Sequence, residues 1–138
     1  MSRDNQLREG GSVAAWRRLS LAGGALCLVT VFGLALGPDT PEFFVGQDKV
    51  NHVVAFCCLG FLFSLGASIP GIIRCGVALT VAAFAVEVMQ GALTLNREGS
   101  FGDAFASLGG LAMGMAMAIT IGAVARAVSP ATAQVVSR

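Results

Sequence analysis

Asp48, Lys49, His52, Glu87, Arg97 and Asp103 are six ionisable residues set among stretches of nearly uninterrupted apolar sequence. Asp48 and His52 are four apart, which puts them one turn apart on a shared helical face. A carboxylate so placed can orient an imidazole, as a general base requires. Glu87 follows Val-Ala-Ala-Phe-Ala-Val and so lies inside an apolar run, with Gln90 three residues further along the same face. Asp103 and Ser107 are again four apart, and Gly110 follows on that face. Arg97 falls in the polar stretch between these groups, where a guanidinium opposite several carboxylates offsets charge that would be expensive alone. Charge near hydrocarbon is costly, so a one-sided set of this kind reads as a functional site whose members partner one another. Each member also has a plainer reading. Asp48 and Asp103 suit the positive end of a helix dipole, His52 could be a neutral interfacial histidine, and Glu87 could be a structural tie to Arg97 or Lys49.

The elements that hold these residues are helices fit for lipid. Of 138 residues, 55% are hydrophobic and 12% charged, with a mean hydropathy of +0.76. A soluble domain of this size needs a charged surface that the chain could not build. Its 18 glycines suit close helix packing in a bilayer, where small residues let backbones approach. A net charge of +1 with no basic run argues against a nucleic-acid partner. Cys27, Cys57, Cys58 and Cys75 all lie in apolar stretches without C-x-x-C spacing and read as small packing residues. No metal and no cofactor is expected, since a thiolate zinc site needs four convergent donors.

The expected fold is all-α: an integral membrane bundle of four transmembrane helices, over about residues 19–36, 50–69, 75–91 and 104–128. Residues 1–18 are expected to form a flexible cytoplasmic tail that turns helical near Val13, and residues 129–138 a second short tail. The uncharged run from Leu19 to Leu36 has 18 residues, just enough for a helix crossing about 30 Å of hydrocarbon. It reads as an uncleaved anchor rather than a signal peptide, being long for a signal's apolar core and followed by further spans. Residues 38–49 form a loop, Pro70-Gly71 a tight turn, and Ala92 to Gly102 a second polar loop. Gly110 and Gly114 on the fourth span fit a small-residue packing face. With the N-terminus inside, Arg3, Arg8, Arg17, Arg18, Arg74, Arg126 and Arg138 are cytoplasmic, against Lys49 and Arg97 outside. That asymmetry predicts a multi-pass protein with both termini in the cytoplasm and the six-residue set on the outer face.

The stretch Asp48-Lys49-Val50-Asn51-His52-Val53-Val54-Ala55-Phe56, then Leu59-Gly60-Phe61, resembles the D-K-x-x-H-x-x-A-[FY]-x-x-L-G opening of VanZ-like membrane proteins. Glu87-Val88-Met89-Gln90 is similar to that family's E-x-x-Q. Arg97, Ser100 and Asp103 to Gly110 are similar to its R…S…D-x-x-x-N-x-x-G close. The resemblance covers about residues 19–126 and implies a small polytopic protein of the bacterial inner membrane with a cell-envelope role. The family's namesake is associated with low-level resistance to the glycopeptide antibiotic teicoplanin. Ser107 stands where the family usually has Asn, keeping a hydroxyl but losing an amide's paired donor and acceptor.

Three functions compete. In the first, Asp48, Lys49, His52, Glu87, Gln90, Arg97, Asp103 and Ser107 form an extracytoplasmic pocket without catalysis. It would bind an envelope lipid, a lipid-linked precursor or another envelope protein, with Arg97 and Lys49 on phosphate or carboxylate. In the second, the chain is a membrane-embedded enzyme using His52 with Asp48 or Glu87 as an acid–base pair. In the third, Glu87 and His52 titrate in proton-coupled transport, a path that four short helices make narrow unless the protein oligomerises.

Overall fold

A computed structural model describes residues 3–36, 48–93 and 100–135, and these described residues contain four helices. They are α1 (Arg3–Leu36), α2 (Asp48–Ser64), α3 (Ile69–Leu93) and α4 (Phe101–Val135). Three of them contain stretches long and apolar enough to cross a membrane: Ala14–Leu36, Ile69–Ala92 and Phe101–Val128. α2 has only 17 residues. At about 1.5 Å per residue it is about 25 Å long, short of a hydrocarbon core about 30 Å thick. On length and composition, then, three spans stand where four were expected.

Several boundaries differ from the expected ones for local reasons. α1 extends back to Arg3 instead of beginning near Val13, because Arg, Gln, Leu and Glu in that segment are good helix formers. α3 starts at Ile69, not Cys75, and Pro70-Gly71 lies inside its first turn. Proline is welcome there, since its missing N–H would have had no helical partner. The turn falls instead at Gly66, whose φ of +69° is a backbone state that a side chain would disfavour. α4 begins at Phe101, before Ala104, and runs on through Pro130 to Val135.

α2 and α4 make the closest approach. A Cβ added at Gly110 would overlap the carbonyl oxygen of Val53, and one at Gly114 that of Cys57. From the other side, a Cβ at Gly60 would come within 2.7 Å of the Leu111 carbonyl oxygen. Small residues on both helices thus bring the backbones together, as they do between helices in lipid. Phe56, Leu59, Leu79, Ala83 and Leu111 form the buried core beside this crossing. Elsewhere the bundle is apolar outside as well as in: Val29, Val77, Val81, Val88, Phe105, Met113 and Val124 are all exposed. Such a surface suits lipid rather than water.

Side-chain ties set the helix directions. Arg17 on α1 donates through Nη1 to the carbonyls of Phe63 (2.7 Å) and Leu65 (3.0 Å), at the end of α2. These carbonyls have lost their helical partners, and a guanidinium there also meets the negative end of the dipole. Gln90, late in α3, donates to the Ala35 carbonyl at the end of α1 (3.1 Å). The end of α1, the start of α2, the end of α3 and the start of α4 therefore share one end of the bundle.

Candidate functional site

That shared end gathers five of the six ionisable residues singled out above; Arg97 lies outside the described residues. His52 sits one turn into α2, Glu87 six residues before the end of α3, and Asp103 in the first turn of α4. All three are buried.

His52 is the centre. Its Nδ1 lies 3.0 Å from the hydroxyl of Ser107, which is fully buried, and 3.6 Å from Oε1 of Glu87. Its Nε2 points the other way, 3.9 Å from Oδ1 of Asp48. The imidazole therefore bridges two carboxylates carried by two helices, with a hydroxyl from a third. The close α2–α4 crossing explains the Ser107 contact, because Gly110 lets α4 press against Val53, next to His52, and Ser107 lies one turn away.

Glu87 joins α3 to α4. Its Oε2 accepts the backbone N–H of Ser100 at 2.8 Å, while Oε1 is buried without a hydrogen bond. Ser100 is the N-cap of α4. Its hydroxyl accepts the N–H of Gly102 (3.2 Å), and its carbonyl accepts from Asp103 and Ala104. Asp103 is thus not the cap but the third residue after it, and its carboxylate lies 3.5 Å from the Lys49 ammonium. Asp103 Oδ1 is also buried without a hydrogen bond.

Gln90 extends the Glu87 stripe, and its Nε2 donates to the α1 carbonyl described above, tying the two helices together. The Lys49–Asp103 pairing and the Ser100 cap went unforeseen. The cap had a visible signal in Ser100-Phe-Gly-Asp103, a serine with an acid three residues on. The ion pair had none, because its partners lie on helices whose rotation is set by the glycine contact.

Beside the cluster, a cleft of about 230 Å³ opens between α3 and α4. Phe84, Val88 and Phe101 line it with apolar surface, and Glu87 and Ser100 supply its polar edge. Chemically, the arrangement can hold or relay a proton through Asp48, His52 and Glu87, and can bind a polar group beside an apolar one. Ser107 touches the imidazole but has no surface from which to attack a substrate. No family model, curated protein or solved structure matches the chain.

Proposed function

We propose that the chain is a VanZ-like multi-pass protein of the bacterial cytoplasmic membrane whose extracytoplasmic pocket binds the polar head of an envelope lipid or lipid-linked precursor. The observation that carries the reading is the cleft between α3 and α4. Apolar Phe84, Val88 and Phe101 line it beside Glu87 and Ser100, its polar edge. An amphiphile has the same division along its length. Its chain would lie against the aromatic and aliphatic wall, and its hydroxyl or amine groups would donate to Glu87. Lys49, at the edge of the cluster, and Arg97 would meet a phosphate.

The motif residues shared with VanZ-like proteins supply the envelope setting and a role in glycopeptide tolerance. The arginine distribution supports cytoplasmic termini and an outward-facing pocket. α2 serves as a fourth, short span in this reading. Its buried face, His52, Phe56, Leu59, Gly60 and Ser64, belongs to the bundle, and a span of this length is accommodated by local thinning of the bilayer.

Lipid co-purification tests the proposal. The intact protein and the Glu87→Gln and Arg97→Ala variants are extracted in mild detergent, and bound lipids are identified by mass spectrometry. One head-group class should be enriched on the intact protein and reduced at least tenfold on both variants. Recovery of the same bulk membrane lipids from all three would defeat it.

A membrane-embedded acid–base enzyme is the second reading, favoured by the 3.0 Å contact between His52 and Ser107. There Asp48 or Glu87 would orient the imidazole, and Ser107 would position it without reacting. Turnover of a lipid substrate that vanishes in His52→Ala would establish this reading over simple binding.

A further inference from the structure

The geometry points to a divalent metal site of the zinc class formed by Asp48, His52 and Asp103. One donor atom from each of the three lies within 4.8 Å of the others. Donors bound tetrahedrally to one zinc ion at about 2.1 Å sit about 3.4 Å apart, so side-chain rotations of about an ångström close the set. This goes beyond head-group binding and does not depend on it.

The orientation of His52 is the independent observation. Nδ1 faces Ser107 Oγ and, at 3.6 Å, the buried Oε1 of Glu87. The Ser107 hydroxyl, 3.0 Å from Nδ1, can accept a hydrogen carried there. In that tautomer Nε2 presents a lone pair toward the Asp48 carboxylate, which lies beyond hydrogen-bond reach at 3.9 Å. Two acceptors facing one another call for a cation between them. Metal-bound histidines are held in this way, with the second ring nitrogen donating to a carboxylate or hydroxyl that fixes the tautomer. Glu87 and Ser107 have that positioning role here.

Asp103 adds a second sign. It is more than nine-tenths buried, and its Oδ1 has no hydrogen bond. Its neighbour is the Lys49 ammonium at 3.5 Å, on a side chain 70% exposed that can swing into water. Charge agrees. Among the described members, three carboxylates face one ammonium, and a dication would balance the excess. One imidazole and two carboxylates suit zinc or manganese. They do not suit copper(I), which prefers sulfur, or calcium, which takes six to eight oxygens. Three protein donors would leave a position open to solvent. The competing arrangement is a doubly protonated His52 lying between Asp48 and Glu87 with no metal.

The test uses zinc alone. Full-length protein in detergent is stripped with a chelator, incubated with Zn²⁺, passed through gel filtration and assayed by elemental mass spectrometry. Affinity is read by competition with a chromophoric chelator. One Zn²⁺ per chain should be retained. Asp48→Asn, at the exposed start of α2, should weaken binding at least tenfold with helix content and elution volume unchanged. His52→Gln should abolish it, and Glu87→Gln should weaken it about 10- to 100-fold, as loss of a positioning partner does. No retained zinc would overturn the proposal and leave the protonated imidazole. So would zinc retained equally by Asp48→Asn and His52→Gln, the pattern expected if the cysteines were the ligands.

Discussion

Glu87 holds two jobs in one carboxylate. Oε2 caps the otherwise unpaired N–H of Ser100, and Oε1 faces the imidazole of His52. Two substitutions separate these jobs. Glu87→Gln keeps an oxygen for Ser100 and removes the charge. Glu87→Ala leaves a part-buried N–H without its acceptor, at a cost of about 1–3 kcal/mol. Membrane abundance should therefore stay near the native level in Glu87→Gln and fall in Glu87→Ala, while head-group enrichment is lost in both. Quantitative immunoblotting of membranes, run beside lipid mass spectrometry, reads both effects in the same cells. An abundant Glu87→Gln protein that keeps its lipid would reduce the carboxylate to a structural tie. At this scale the sequence was informative where partners share a helix. Asp48 and His52 follow from a spacing of four. The His52–Ser107 contact could not be read that way, because 55 residues separate the pair and the contact depends on how two helices rotate against one another.

Two turns of glycine decide how α2 and α4 meet. Gly110 and Gly114 leave no room for a side chain against the Val53 and Cys57 carbonyls, whereas Gly109, next in sequence, has nothing within 4 Å of its would-be Cβ. Gly110→Val should force the helices apart, costing about 1–3 kcal/mol or more as overpacking does. It should also pull Ser107 away from His52. Gly109→Val should be nearly neutral, since it adds a side chain to open space. Thermal melts of both variants in one detergent compare them directly, and equal midpoints would show that the crossing tolerates expansion. The packing face was visible as a Gly-x-x-x-Gly pattern, yet glycine is so frequent here that the pattern could not say which neighbour it met. Helix ends were less legible. Pro70 looked like a stop but serves as a first-turn residue. Ser100 moved the start of α4 ahead of Asp103 by capping it. Gln90 shares a stripe with Glu87, and only the position of α1 reveals its carbonyl partner.

Across the whole molecule the two ends of the bundle carry opposite chemistry. One end has Asp48, Glu87 and Asp103 with Lys49 and His52. Toward the other lie Arg17, which caps α2, with Arg18 and Arg74, and Arg126 late in α4. In a membrane, arginine-rich ends stay in the cytoplasm because translocating short basic segments is disfavoured. If α2 crosses as a short fourth span, both termini share that side, and the segments following α1 and α3 face outward with the site. If α2 fails to cross, with the N-terminus still cytoplasmic, α1 and α3, which run parallel here, would have to run antiparallel through the bilayer. The Gln90–Ala35 tie, which joins the ends of those two helices, would then be impossible. Cysteine labelling decides between these arrangements. In a background with Cys27, Cys57, Cys58 and Cys75 replaced by serine, single cysteines are placed at Glu42, Glu98, Ser2 and Ser137 and treated with a membrane-impermeant maleimide on intact cells. Glu42→Cys and Glu98→Cys should label, while Ser2→Cys and Ser137→Cys should label only after the membrane is opened. Labelling of Ser137→Cys from outside, with Ser2→Cys protected, would mean an odd number of crossings. It would remove α2 from the membrane and with it the shared outward face on which the binding site depends.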